Sequence, residues 1–208
     1  DFSQLVERGV SEINLLSQDT SSYGKDLRDG TELSGLLRAL ISVPGDYWIR
    51  MFYCYPNSFT DEVLEVMASD PRFCRYLDMP FQHISGPVLK KMNRKITRKE
   101  IEATMARVRR QLPDVAWRTT FIVGFPTETD QDFEELVDFV SEGHFQHLGI
   151  FLYSDEDNIR SSKFGDPIPL TLKEERKNRL MEIQQKISRE HHQKMVGSLQ
   201  QVLVGGFS

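Results

Sequence analysis

Apolar residues along this chain follow two alternating rhythms. Leu33, Leu36, Leu37 and Leu40 keep the spacing of one helix face. Thr31 is placed to cap that helix over 32–42, and Pro44 and Gly45 end it. Residues 47–54 are instead dense in aromatic and β-branched side chains, which predicts a strand. The alternation runs the length of the chain. A helix end over 2–9 closes at Gly9, and 12–18 reads as a short buried strand. Thr60 is placed to cap a helix over 61–70, followed by a strand over 76–82 and helices near 85–93 and 98–112. Residues 117–123 form the next predicted strand, Thr127 or Thr129 opens a helix to about 142, and 147–153 is a further strand. A long amphipathic helix covers about 170–195, with Leu180, Ile183 and Ile187 on one stripe, and 199–204 starts another strand.

Five strands separated by helices, with no hairpin signal between them, predict parallel βαβ units. Right-handed crossovers then give an open doubly wound sheet or part of a (β/α) barrel. Both architectures place chemistry at the C-terminal ends of the strands.

Composition narrows the class. The 208 residues are 39% hydrophobic and 27% charged, an ordinary globular balance with enough chain for one core. No stretch approaches the roughly 20 apolar residues of a membrane span. Residues 1–8 carry two acids and no apolar signal core. Two cysteines, Cys54 and Cys74, make neither a disulfide framework nor a CxxC zinc site, so a reduced, cytoplasmic setting is expected. The histidines at 144, 147, 191 and 192 show no zinc-ligand pattern, and no metal ligands are assigned. The chain opens at Asp1 inside a helical pattern, which predicts a piece of a longer protein.

Charge is segregated. Residues 90–110 hold nine basic residues against Glu100 and Glu102, a net of +7; the whole chain carries −5, which leaves −12 for the rest. Residues 128–142 hold seven acids and no Lys or Arg. Both runs fit solvated helix faces, and the basic one also fits contact with RNA.

The strand ends carry the candidate chemistry. Ser17-Gln18-Asp19-Thr20-Ser21-Ser22-Tyr23-Gly24 packs polar side chains after the first strand, as a helix-capping loop or a polar-ligand site. Tyr53-Cys54-Tyr55 ends the second, with Cys54 more readily a small buried hydrophobe than a ligand. Asp78-Met79-Pro80-Phe81-Gln82-His83-Ile84-Ser85 ends the third; Pro80 predicts a bulge or strand end, and Gln82 and His83 are expected at the mouth. The fourth ends in Ile122-Val123-Gly124-Phe125-Pro126, where Gly124 admits close approach of a ligand and a planar ring has room along the backbone. This is neither GxGxxG nor a P-loop. No residue is singled out as catalytic.

Taken together, Ser17-Gln18-Asp19-Thr20, Leu77 through Ser85, Val88-Leu89-Lys90-Lys91-Met92, and Ile122 through Thr129 with Asp132-Phe133 resemble the radical SAM methylthiotransferases. The closest likeness is to the branch acting on an aspartate of ribosomal protein S12. The tRNA-modifying branch typically has Gly-Gln-Asn-Val and Leu-Gln-Ser-Gly-Ser where this chain has Ser-Gln-Asp-Thr and Phe-Gln-His-Ile-Ser. The resemblance implies a partial TIM-like (β/α) barrel of the radical SAM type, of about five parallel strands with outer helices, over 1–196. It also implies the start of a C-terminal β-barrel domain at 197–208. It implies S-adenosylmethionine and, in the full-length protein, two 4Fe-4S clusters, with the small ribosomal subunit as partner. By motif position, Gln18, Asp19 and Thr20 hold the methionine end of the cofactor or the substrate. Gln82 and His83 line the ribose or substrate side, and Ile122, Val123, Gly124 and Phe125 flank adenine. The family's CxxxCxxC triad is absent from these residues, so this chain alone is expected to be inactive. Two alternatives remain: a tRNA methylthiotransferase, and a non-catalytic scaffold that binds the ribosome or RNA through 90–110.

Overall fold

A computed structural model describes residues 1–156 and 162–204. Its strands are β1 (Glu12–Leu15), β2 (Trp48–Met51), β3 (Tyr76–Asp78), β4 (Ala116–Val123) and β5 (His147–Leu152). Between and around them run α1 (Phe2–Glu7), α2 (Leu33–Ile41), α3 (Asp61–Ser69), α4 (Gly86–Lys91), α5 (Arg98–Gln111), α6 (Asp130–Ser141) and α7 (Leu170–Met195). Every pairing is parallel: β1 with β2, then β3 with β4 and β4 with β5. An Ile49–Phe73 bridge joins the two groups, and the Cys54 amide donates to the Asp78 carbonyl at 2.9 Å. The result is an open, curved α/β sheet with outer helices, not closed into a full barrel.

The predicted elements through 195 form, with trimmed ends. β3 stops at Asp78, because Pro80 has no N–H to continue the ladder. Past it, Gln82 rejoins β4: its amide donates to the Thr120 carbonyl and its carbonyl accepts from Ile122, both at 2.9 Å. Thr129, not Thr127, caps α6, in a capping box with Asp132. Thr31 does not cap α2, whose N-cap is Glu32. Residues 199–204, expected to start a strand, adopt no regular secondary structure, and 205–208 fall outside the described residues.

The period-2 alternation divides the strands into two faces. Ile49, Met51, Leu77, Trp117, Phe121, Val123 and Ile150 point to the helices and form the core, and Ile13 is buried on the same face of β1. Glu12, Arg50, Tyr76, Asp78, Arg118, Thr120 and Ile122 occupy the alternate positions and line the concave side. This polar lining leaves the concave side a site rather than a second core.

α7 departs from its predicted stripe. Leu180 is buried, but Lys173, Arg176 and Gln184 are buried beside it, while Ile183 is only partly covered and Ile187 half-buried. The helix crosses the ends of β4, α6 and β5, where carboxylates and free carbonyls need donors. Gln184 donates to the Phe145 carbonyl at 2.9 Å, and Lys173 to the Tyr153 carbonyl at 2.8 Å.

Candidate active site at the strand ends

A cleft in two lobes opens above the C-terminal ends of the strands. One lobe, about 440 Å³, runs past Gln82, Met92, Asn93, Ile122, Phe125 and Tyr153. The other, about 390 Å³, is walled by Gln18, Tyr53, Tyr55, Pro80, Arg118 and Thr120. Gln82, Arg94, Ile122 and Phe151 line both, so the lobes adjoin along a shared wall. Each volume lies in the range of roughly 300–1,000 Å³ that small-molecule sites occupy.

Backbone strain is concentrated here. Among the described residues four non-glycine positions have positive φ, and three of them, Tyr53 (53°), Gln82 (73°) and Asn93 (58°), line the cleft. Such conformations are costly for bulky side chains and persist where surrounding structure imposes them, often at functional sites. Gln82 is fixed by its two bonds to β4, and Tyr53 by its carbonyl, which accepts from the Thr20 amide at 3.0 Å.

The concave floor is charged and paired. Glu12 and Arg50 meet at 2.7 Å, and the Arg50 guanidinium lies 4.8 Å over the Tyr76 ring. Nη1 of Arg118 reaches both oxygens of the fully buried Asp78 at 3.0 Å. Burial, then the neighbouring Asp78 carboxylate, pushes the Tyr76 phenol up to about 12. Burial, then the charge of Arg118, holds the His147 imidazole below its ordinary range.

The structure sorts the candidate residues. Gln18, Gln82, Ile122 and Phe125 line the cleft. Asp19 and Thr20 do not; they border a separate recess between β1 and α2. The Asp19 carboxylate accepts from the Ser21 and Ser22 hydroxyls at 2.5 and 2.6 Å, so this loop satisfies its own polar groups. Val123 is fully buried against the helices, because it alternates with Ile122. Gly124 has φ +74°, but the group packed on its backbone is no ligand: an added Cβ would fall 2.3 Å from Lys173 Cγ.

His83, expected at the mouth, lies completely buried beneath it. Its Nδ1 accepts from the Ser85 amide at 3.0 Å, so the proton resides on Nε2, which faces Glu128 Oε2 at 3.5 Å. Nε2 makes no hydrogen bond at that distance, and Glu128 accepts instead from the Gly124 amide at 3.0 Å and from Arg176 at 2.6 Å. Asp132 extends this scaffold: it accepts from the Ser85 hydroxyl and from the Thr129 amide and hydroxyl. Burial opposes ionisation of Asp132, but the Ser85 and Thr129 bonds outweigh it and lower its pKa. A buried network therefore ties the loops after β3 and β4 to α7 and holds the rim rigid.

Several cleft residues went unassigned in the sequence: Arg94, Asn93, Arg118, Tyr53, Tyr55 and Phe151. Arg118 was accessible in principle, since it shares one face of β4 with Thr120 and Ile122. Arg94 was not, because its place depends on how the turn after α4 folds over the mouth. The two charge runs are also resolved. Arg98 reaches Glu142, Arg179 pairs with Glu134, and Arg176 with Glu128 and Asp130. Much of the acidic run is thus neutralised by helices α5 and α7 rather than by solvent.

An open parallel α/β sheet with a cleft at its strand ends defines a class, and residues 2–140 match the model of the radical SAM superfamily. The chain belongs to that superfamily. Its methylthiotransferase-like motifs have full-length counterparts among curated proteins. It is 43% identical over 205 residues, 99% of this chain, to the ribosomal protein uS12 methylthiotransferase RimO of Geotalea uraniireducens. It is 44% identical over 96% of this chain to the protein of that name from Heliobacterium modesticaldum. The chain spans about half the length of these relatives, 46% and 44% respectively. In fold it is similar to the Escherichia coli radical SAM enzyme HemN, a coproporphyrinogen III oxidase, with TM-score 0.61 over 92% of this chain at 18% identity. It also matches the radical SAM methyltransferase TsrM of Kitasatospora setae, with TM-score 0.56 over 73% of this chain.

The superfamily implies S-adenosylmethionine and an iron–sulfur cluster. Among the described residues no group of three or more His, Cys, Asp or Glu is arranged to hold a metal ion. Cys54 is buried, and burial followed by the Asp78 charge pushes its thiol far up; burial also raises Cys74. Thiols held protonated are poor cluster ligands. These residues do not fit the cluster. The cleft does suit a cofactor that is part planar ring and part polar chain, since its lining includes the apolar Ile122 and Phe125 and the polar Gln18 and Gln82.

Proposed function

We propose that this chain is the barrel core of a methylthiotransferase that modifies an aspartate of ribosomal protein uS12. The observation that carries this reading is identity above 40% along almost the whole chain to proteins of that name. The motifs that set the uS12 branch apart from the tRNA branch support it, notably Phe81-Gln82-His83-Ile84-Ser85. S-adenosylmethionine would occupy the cleft, with its ring between Ile122 and Phe125 and its polar end toward Gln82 and Gln18. The two 4Fe-4S clusters of such an enzyme would draw their thiolates from other parts of the full-length protein. A ribosomal substrate implies a cytoplasmic location. The exposed Lys91, which lines the cleft, and the exposed Lys90, Lys95 and Lys99 close to it in the chain suit a partner rich in phosphate.

The test uses the full-length protein, anaerobically reconstituted and supplied with S-adenosylmethionine, reductant and sulfide. Uniform methylthiolation of one uS12 aspartate, read by peptide mass spectrometry, is expected. Unmodified uS12 alongside methylthiolated tRNA overturns the reading.

A further inference from the structure

We infer that Lys90, Lys91, Lys95, Lys99 and Lys163 form a basic rim beside the cleft, and that this rim docks on the phosphate backbone of the ribosomal RNA around uS12. The inference rests on the reading above, because it names the part of a ribosomal substrate that lies outside the cleft.

The basic run of 90–110 divides into two groups in the fold. The arginines of α5 are largely engaged within the chain. Arg98 pairs with Glu102, Arg107 with Asp61 and with the Phe59 carbonyl, and Arg109 donates to the His144 carbonyl. The lysines are not engaged. Lys90, Lys91, Lys95 and Lys99 are all exposed, and none forms an ion pair among the described residues.

The tertiary structure adds a cation from outside the run. Lys163, just before α7, is also exposed. Its Nζ lies 5.1 Å from the centre of the Phe164 ring, and Lys91 Nζ lies 5.5 Å from the same centre. Phe164 meets Phe125 of the cleft edge-on, with ring centres 6.1 Å apart. One ring thus gathers two like charges next to the mouth, and their mutual repulsion is relieved by an anion bound between them. The backbone that carries the other lysines is fixed. The Arg94 amide donates to the Leu89 carbonyl at 2.8 Å, and the Asn57 side chain donates to the Lys95 carbonyl at 2.6 Å. A Thr97–Glu100 capping box then starts α5. Lys99 falls in the first turn of that helix, where the dipole disfavours a cation, so helix stability does not account for it.

Charge over the whole chain gives the contact a direction. Residues 90–110 carry a net +7 in a chain of −5, so a polyanion is drawn to the rim and repelled by the net-negative remainder. Lysine ammoniums are point charges on flexible stems, which pair with single phosphates without reading base identity. Spread along a rim rather than converging in a pocket, they match a nucleic-acid backbone and not one small anion. Docking there turns the cleft toward uS12 and favours the assembled subunit over free uS12 as substrate.

The experiment uses the full-length protein, small ribosomal subunits purified from cells lacking the enzyme, and isolated uS12. Subunit binding is measured by sedimentation across a range of KCl concentrations. The variant is Lys95→Gln/Lys99→Gln/Lys163→Gln; Lys91 is kept because it also lines the cleft. Its affinity for subunits is expected to fall at least about tenfold, and the slope of log affinity against log salt to flatten by about 2–3, close to one per lysine removed. Modification of isolated uS12 is expected to stay within about twofold of wild type, since no cleft group changes. The corresponding triple arginine variant is expected to bind subunits as the wild type does, because it keeps the charge. Unchanged subunit affinity in the glutamine variant overturns the proposal. So does an equal loss on isolated uS12, since the lysines then contact the protein itself. Competition by tRNA as strong as by 16S ribosomal RNA also overturns it. Lysine-dependent subunit binding without modification of uS12 refutes the proposed reaction and leaves this inference standing.

Discussion

Replacing Arg176 by methionine tests whether the buried network is structural. Arg176 Nη1 bonds Glu128 at 2.6 Å, with side-chain exposures of 4% and 0%. Nη2 bonds the almost fully exposed Asp130, also at 2.6 Å, and the guanidinium lies 5.2 Å over the Phe133 ring. The Asp130 contact is solvent-screened and contributes roughly 0–1 kcal/mol. The Glu128 contact is different, because losing its partner strands a carboxylate in the interior, at a cost of about 3–5 kcal/mol. Methionine keeps the stem volume, so the cavity contribution is small. Urea unfolding of the Arg176→Met protein should therefore show a loss of about 3–5 kcal/mol with little change in m. Glu128→Gln should cost less, since its amide oxygen still accepts from the Gly124 amide. The double variant should fall well short of additive, because the two residues form one interaction. A loss under about 1 kcal/mol for Arg176→Met, or strict additivity in the double variant, would show that the pair carries no such penalty.

Gly124→Ala should destabilise by at least about 1–2 kcal/mol, because the residue sits at φ +74° and its Cβ would strike Lys173. Part of that cost should disappear in a Lys173→Ala background; equal costs in both backgrounds contradict the packing account. Tyr76 makes stability depend on alkaline pH. Its phenol stays neutral in the fold up to about 12, whereas the unfolded chain ionises near about 10. Its contribution is present below about 10 and is lost between about 10 and 12, so Tyr76→Phe should flatten the decline across that window in chemical denaturation. A decline of unchanged slope refutes this. Iodoacetamide at mildly alkaline pH should leave Cys54 unmodified in the folded protein and alkylate it in urea, read by peptide mass mapping. Rapid native labelling would mean that the thiol is not enclosed.

The order and type of the elements are local properties of the chain. Leu33, Leu36, Leu37 and Leu40 fall on one face at 3.6 residues per turn whatever surrounds them. The period-2 pattern of Trp117 to Val123 sets which side chains face the helices. Pro80 ends a strand because it lacks a donor. Motif spacing also brought Gln82, Ile122 and Phe125 to the cleft. The tertiary structure decided what their sequence neighbours do. His83 and Val123 turn inward, one on a sharp turn after Gln82 and one by strand alternation. Gly124 accommodates Lys173, from a helix some 50 residues away in sequence. Arg94 enters the cleft through the turn after α4, and the acids of α6 find partners on α5 and α7. Such pairings depend on distances between residues remote in the chain, and buried charge is tolerated only where those distances bring a counter-charge. Sequence periodicity determined the frame; packing across it decided which polar groups are scaffold and which remain available to a ligand.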